Sequence, residues 1–165
     1  MRVLTVVLLV LFLFSGCASN ERLETVSDVY DIPVSSPVQE IMLVLPEGAA
    51  EAVLSTGDGC SFYVCDGYSV AASTFAGGNL SDTIRKVTGF EKEALTIVTT
   101  QENGYSQHSC AWTTMGEVTE QICKAVILDD GNSYYAVTVM CDYEVAGELN
   151  QKINNVLNSV TLRNG

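Results

Sequence analysis

The chain has 165 residues and a formal net charge of −12 at pH 7, from 8 Lys and Arg against 20 Asp and Glu. We do not expect this chain to bind nucleic acid. Binding to phosphates needs a contiguous surface of Lys and Arg that displaces counterions, and the few cations in this sequence are scattered. The hydrophobic fraction is 47%, but an apolar segment at the start of the chain raises this value. The residues after that segment are enough in number for one domain.

The opening segment is apolar at every position from Val3 to Phe14 except Thr5. It is about a dozen residues long, whereas a membrane-spanning helix needs roughly 20. Arg2 precedes it and small residues follow, which favours a signal peptide over residues 1–16. The alternatives are an ordinary secretory signal with a coincidental cysteine and a buried N-terminal strand, and the run is long for a strand.

The four residues Phe14-Ser15-Gly16-Cys17 resemble the bacterial lipobox, with Phe14 where Leu is usual. The resemblance implies that a signal peptidase cuts before Cys17 and that this cysteine carries lipid. Two or three acyl chains would anchor the protein stably at the extracytoplasmic face of the cell membrane, or in the outer membrane of a Gram-negative cell. Cleavage would leave 7 cations against 20 anions, a formal charge of −13.

Residues 17–37 are rich in Ser and Thr, contain two prolines and lack apolar periodicity, so they are predicted to form a flexible, lipid-anchored tether. A single domain is predicted over 38–165. Its first strand is "VQEIMLVLP", and "CSFYVCDGYSVAAST" predicts a hairpin that turns at Asp66-Gly67. In "GGNLSDTIRKVTGF", Asn79 can cap a helix that Gly89 ends.

Three further strands are predicted in "LTIVTTQ", "SQHSCAWTTM" and "EQICKAVIL". A turn at 129–132 leads into a fourth, "SYYAVTVMCDY". The closing segment predicts an amphipathic helix, because its apolar residues recur at helical spacing: Val145, Leu149, Ile153, Val156 and Val160. Consecutive hairpins need only short turns, so the order favours an α+β fold with an antiparallel β-sheet packed by helices.

This order resembles the PsbP-like fold, an α/β sandwich shared by an extrinsic photosystem subunit, a Ran-binding import factor and bacterial lipoproteins without assigned activity. Four stretches carry the resemblance: "VQEIMLVLPEGA", "NLSDTIRKVTGF", the strands from Cys110 to Asp142, and "INNVLNSVTL". They contain no catalytic motif. The resemblance therefore implies a fold and a binding or accessory role, and it assigns no functional residue.

Five cysteines remain once Cys17 is assigned to lipid, so at least one thiol is unpaired within the chain. Neither a CxxC motif nor a zinc-site spacing occurs. If the chain turns tightly at Gly116-Glu117, Cys110 faces Cys123 on the neighbouring strand, which makes this pair a candidate disulfide. Two small buried thiols packed side by side explain the pair equally well.

His108 and Cys110 lie two apart on a predicted strand, so both point to one face and could serve as base and nucleophile. Trp112 continues the same alternating pattern, which favours a structural role. The "DDGN" turn lacks the further oxygen ligands of a calcium loop, so no metal or cofactor is predicted.

The sequence thus predicts a non-catalytic binding or accessory lipoprotein of the cell envelope. Its partners would be the membrane, through the lipid, and either an envelope protein or a small-molecule ligand. This hypothesis predicts an exposed apolar or aromatic patch. The alternative is an envelope thiol-redox factor or hydrolase that uses His108 and Cys110, which requires an accessible thiolate of lowered pKa.

Overall fold

The computed structural model describes residues 39–52, 59–102 and 104–163. These residues belong to one compact unit, 35–165. The predicted signal peptide, 1–16, and tether, 17–37, lie outside the described residues. Within the described ranges, no helix is both long and apolar enough to cross a bilayer.

The main feature is a seven-stranded antiparallel sheet with strand order β2-β3-β4-β8-β7-β6-β5, and a separate pair, β1 with β9, accompanies it. The strands are β1 Glu40–Met42, β2 Ala50–Ala52, β3 Cys60–Val64, β4 Tyr68–Ala76, β5 Val98–Glu102, β6 Tyr105–Met115, β7 Glu120–Asp129, β8 Ser133–Asp142 and β9 Thr161–Arg163. The predicted α+β class with an antiparallel sheet is confirmed.

Two helices cover opposite faces of this sheet. The first, α1 (Leu80–Thr88), buries Ile84 against Ile127 and Ala136. The second, α2 (Ala146–Asn158), buries one apolar side in the larger core, which also contains strand residues Val126, Val137 and Val139. Because neighbouring strand residues point to opposite faces, we call these the α1 face and the α2 face of the sheet.

Local chemistry explains the elements that were predicted correctly. Asn79 caps α1, because its side-chain oxygen accepts a hydrogen bond from the backbone N–H of Asp82 at 2.9 Å. Gly89 ends α1 with φ of 78°, a left-handed conformation that glycine adopts without a steric penalty. The hairpin at Asp66-Gly67 is also confirmed, and the Cys65 N–H donates to the Tyr68 carbonyl there at 2.9 Å.

Other predicted bounds were too long. The first strand is only Glu40–Met42, and α2 ends at Asn158, so Val145 and Val160 lie outside the helix. Ser159 ends the helix: its hydroxyl donates to the Val156 carbonyl at 2.7 Å and accepts the Val44 N–H at 2.8 Å. The residues that follow pair with β1 instead of continuing the helix.

The predicted opposition of Cys110 and Cys123 is wrong. Cys110 lies opposite Ala125, and Cys123 lies opposite Trp112, so the register differs by two residues. The reason is the turn, which spans residues 116–119 and is closed by the Gly116 N–H donating to the Thr119 carbonyl at 2.8 Å. Diagonal neighbours are about 7–8 Å apart at Cα, beyond the roughly 4.4–6.8 Å that disulfides span, and both thiols are free.

Candidate binding groove

A groove on the α2 face has a volume of about 400 Å³. Helix α2 packs on β8 and β7, so in the described ranges it leaves the β5 and β6 side of this face uncovered. Ser109, Ala111 and Lys124 contribute to the floor, and Asn154, Leu157 and Asn158 form the helical wall. The small side chains on β6 create the space, because they fill little of the volume beneath the helix.

Lys124 supplies the positive charge of this groove. Its ammonium donates to the side-chain oxygens of Asn150 at 2.7 Å and Asn154 at 3.1 Å. An ammonium has three N–H donors, so one remains beyond these two bonds. In the described ranges Lys124 makes no salt bridge, although half-buried charges usually have a counterion. The groove therefore favours ligands with a carbonyl or carboxylate oxygen.

A smaller hollow of about 240 Å³ lies between α2 and the chain that follows β1. Its lining includes Val44, Pro46, Lys152 and Tyr68. Tyr68 is 6% exposed, and its hydroxyl has no hydrogen-bond partner in the structure. Burial is the main cause that raises the pKa of Tyr68, and the nearby Cys65 thiol adds to the increase. This thiol does not form a hydrogen bond with the Tyr68 hydroxyl.

The structure places His108 and Cys110 on the α1 face, as their spacing predicted, and both are buried. The Nδ1 of His108 lies 2.9 Å from the Thr99 hydroxyl, and its buried Nε2 has no hydrogen-bond partner among the described residues. Burial lowers the pKa of His108 and raises that of Cys110. A reactive thiolate needs the opposite shift at the cysteine, so the geometry gives the nucleophile hypothesis no support.

Burial shifts the pKa of two further thiols in the same direction as that of Cys110. Burial, with a contribution from nearby Cys141, raises the pKa of Cys123 to about 11, and burial raises that of Cys141. Cys60 is exposed and accepts a hydrogen bond from the Ser73 hydroxyl at 3.2 Å. No group of three or more His, Cys, Asp or Glu side chains in the described part of the chain is arranged to hold a metal ion.

One end of the sheet exposes large apolar side chains, as the binding hypothesis predicted. Met115 is 74% exposed, Val118 88% and Tyr143 55%. The turn that carries Val118 lies beside Tyr143, because the Thr119 hydroxyl donates to the Asp142 carboxylate at 2.8 Å. This apolar end is therefore a second surface with the composition of an interaction site.

Sequence reasoning identified little of the groove itself. Of the residues singled out, only Cys110 contributes to its lining, and Cys17 lies outside the described residues. The groove residues that were not predicted do show a pattern in the sequence. Asparagine recurs at every fourth position, so these residues share one side of α2: Asn150, Asn154 and Asn158. Lys124 is the only cation in an otherwise apolar stretch of β7.

Comparison with known proteins identifies no family. No protein-family model matches the chain, and no curated protein matches it either. Among solved structures, a protein from Bacteroides thetaiotaomicron VPI-5482 is similar, with a TM-score of 0.51 and 16% identity over 74% of this chain and 45% of that protein. This chain thus spans less than half of that protein, and the similarity concerns the fold alone.

The Saccharomyces cerevisiae Ran-binding protein Mog1p also matches, with a TM-score of 0.48 and 9% identity over 77% of this chain and 96% of Mog1p.

Proposed function

We propose that this chain is an extracytoplasmic lipoprotein, anchored through Cys17, whose PsbP-like domain binds a ligand or envelope protein in the groove between α2 and β6. The observation that carries the binding role is the half-buried Lys124 ammonium in an open groove of about 400 Å³. Ligand sites are typically concave, mostly apolar and equipped with a few polar groups that fix orientation. The groove has this composition.

The anchor is supported by the sequence: an apolar run too short to span a bilayer, followed by a lipobox-like Phe14-Ser15-Gly16-Cys17. The PsbP-like assignment is supported by the order of the elements, an early strand, a capped helix, a hairpin series and a last helix. The net negative charge would keep such a protein soluble at the cell surface and away from anionic headgroups.

The chemistry of the groove limits its ligand. Asn154, Asn158 and Ser109 offer both donors and acceptors, Lys124 offers a cation, and Leu157 offers an apolar wall. A ligand with one carbonyl or carboxylate group, further neutral polar groups and a modest apolar part satisfies all of them. Peptide segments and small organic acids belong to this class.

The binding role is tested by NMR on the isotope-labelled full chain in detergent. The probes are short carboxylates and N-acetyl amino-acid methylamides, which mimic a peptide backbone. We expect chemical-shift changes that cluster at Ser109, Lys124 and Asn154 and that are much weaker in Lys124→Met. The matched control is Lys86→Met, which removes an equal charge from an exposed position on helix α1. Equal shifts in both variants, or scattered shifts in the wild type, would contradict the groove assignment.

The alternative based on His108 and Cys110 is not proposed, because no observation favours it. Both side chains are buried on the α1 face, and the pKa of Cys110 is raised by burial rather than lowered.

A further inference from the structure

The outer half of β6 is an unpaired strand edge. β5 pairs with β6 only from Tyr105 to Ser109, whereas β7 pairs with β6 as far as Met115. Residues Cys110–Met115 therefore have a ladder partner on one side only, among the residues the structure describes. We call this six-residue segment the β6 overhang. In a β-strand, alternate residues direct their N–H and C=O groups to each side, so the overhang presents a row of unpaired backbone groups.

The overhang lacks the features that usually protect an edge strand. Proteins block such edges with Lys, Pro, bulges or very short strands. The overhang sequence, CAWTTM, has no charge and no proline. At the opposite edge of the sheet, β2 is only three residues long and carries Glu51 at its centre. Within the part of the chain that the structure describes, the β2 edge is thus protected, whereas the β6 overhang beyond the end of β5 is left open.

The overhang continues directly into the groove. Ala111 lines the groove on the α2 face, and both Ala111 and Thr113 are exposed on the strand. A strand added beside the overhang would place alternate side chains on the α2 face, next to the mouth of the groove. Backbone pairing would supply affinity, and the groove would select side chains, which is the usual division in β-strand addition.

Charge identifies the kind of partner. Glu117 lies in the turn directly after the overhang and is exposed. Glu120, also exposed, pairs with Met115 from the β7 side, one strand further from the free edge. The chain as a whole carries 20 acidic against 8 basic residues. A second copy would bring the same negative charge to this edge, whereas a segment with Lys or Arg beside Met115 would be complementary.

We propose that the β6 overhang binds an extended polypeptide segment of another protein as an added antiparallel strand, with a basic N-terminal end beside Met115 and the turn that carries Glu117. This inference rests on the proposed binding function and specifies its partner. The antiparallel direction follows the rest of the sheet, in which every ladder pair is antiparallel. The overhang could pair with up to six partner residues.

The test uses a fluorescein-labelled peptide, Lys-Lys-Thr-Val-Thr-Val-Thr, and the full-length protein in detergent, with binding measured by fluorescence anisotropy. Two control peptides separate the contribution of backbone hydrogen bonds from that of the charged end. One carries N-methyl groups on alternate residues, which removes backbone donors, and the other has the two lysines at its C-terminal end. We expect N-methylation to weaken binding at least about tenfold, as the loss of two or more hydrogen bonds implies, and the reversed peptide to bind more weakly.

Two matched substitutions locate the site on the protein. Thr113→Lys places a charge on the overhang, and Thr100→Lys places the same charge on the same face of neighbouring β5; both threonines are exposed. We expect Thr113→Lys to abolish peptide binding and Thr100→Lys to retain it. Hydrogen exchange on the wild type gives a measurement independent of any variant: within Cys110–Met115, the alternate amides that face the free edge should gain protection when the peptide binds.

Several outcomes would overturn the proposal. These are no binding of the lysine-led peptide to the wild type, binding that tolerates N-methylation, or binding unchanged in Thr113→Lys. If binding is unchanged in Thr113→Lys but lost when Ser109→Tyr fills the groove, strand addition is wrong while the proposed groove function stands. If light scattering shows that the wild type is a dimer and that Thr113→Lys is a monomer, the overhang pairs with a second copy of the chain. This result also overturns the proposal.

Discussion

The carboxylate of Asp130 is expected to be a major local contributor to the stability of the domain. Its Oδ1 accepts the backbone N–H groups of Asn132 at 2.9 Å and Ser133 at 2.8 Å. Its Oδ2 accepts the Gln39 side-chain amide and the Tyr135 hydroxyl, each at 3.1 Å. One side chain thus closes the β7–β8 turn and connects the chain before β1 to the sheet. The perturbation that tests this arrangement is Asp130→Ala.

The expected loss follows from the four hydrogen bonds. The two turn amides and Gln39 can bond to water instead, so about 0.5 kcal/mol is a fair net value for each. Tyr135 is 1% exposed, and a buried hydroxyl that loses its acceptor costs about 1–1.5 kcal/mol. Asp130→Ala should therefore lower the free energy of unfolding by about 2.5–3 kcal/mol. At about 3 °C per kcal/mol for a domain of this size, the melting temperature should fall by about 8 °C.

Asp129→Ala is the matched control, because among the residues that the structure describes the neighbouring carboxylate accepts a single hydrogen bond, from the Gly131 N–H at 2.8 Å. It should cost about 0.5 kcal/mol, or roughly 2 °C. Thermal unfolding of both variants, followed by circular dichroism, makes the comparison. Equal melting temperatures for the two variants would refute the reasoning that the Asp130 network, rather than turn propensity, stabilises this end of the sheet.

The pH dependence of the stability difference between wild type and Asp130→Ala gives a second test of the Asp130 network. Burial opposes ionisation of Asp130, but hydrogen bonds from Asn132, Ser133, Tyr135 and Gln39 outweigh it and lower the pKa of this carboxyl. A carboxyl whose pKa is lowered in the folded state stabilises the protein fully above the unfolded value of about 3.9. The stability difference between wild type and Asp130→Ala should stay constant from pH 8 to 5 and shrink as the pH falls below about 4.

Two further predictions concern the buried titratable groups. His108 is the only histidine, and burial lowers its pKa, so below about pH 6.5 the unfolded chain binds a proton that the folded chain resists. Wild-type melting temperature should therefore fall between pH 7.5 and 5.5, and His108→Gln should have a flatter profile; identical slopes would contradict the burial argument. Among the described thiols, Cys60 should react first with a maleimide, while Cys110 and Cys123 stay unlabelled until the chain unfolds, since both are buried with raised pKa values. Labelling of Cys123 at the rate of Cys60 would show that the strand pairing around it opens readily.

Local chemistry made part of the fold predictable. Asn79 and Gly89 bound helix α1 through interactions within a few residues, and the Asp66-Gly67 hairpin needs only its own turn. The β1–β9 pair was not predictable, because it joins three-residue strands that are far apart in sequence, Glu40 with Arg163 among them. Short segments of this kind carry no periodicity to detect.

Two further features could not be predicted, for a different reason. These are the register between β6 and β7 and the position of the groove. Gly116 begins a turn two residues longer than the tight one expected, and this change moves Cys123 away from Cys110. The groove depends on where α2 lies across the sheet, and that position is decided by the packing of the whole core. Sequence can show that Asn154 and Asn158 share a side of the helix, but not that Ser109 lies beneath them.

The most direct test of the account is the intact mass of the protein purified from membranes of an expressing bacterium, compared with a Cys17→Ser variant. The account predicts a wild-type chain that begins at Cys17 and carries two or three acyl chains, and a variant that lacks the lipid. A wild-type chain that begins elsewhere without lipid would contradict it. Cys17 would then rejoin the free thiols, and the proposal of a surface-anchored binding protein would lose its anchor.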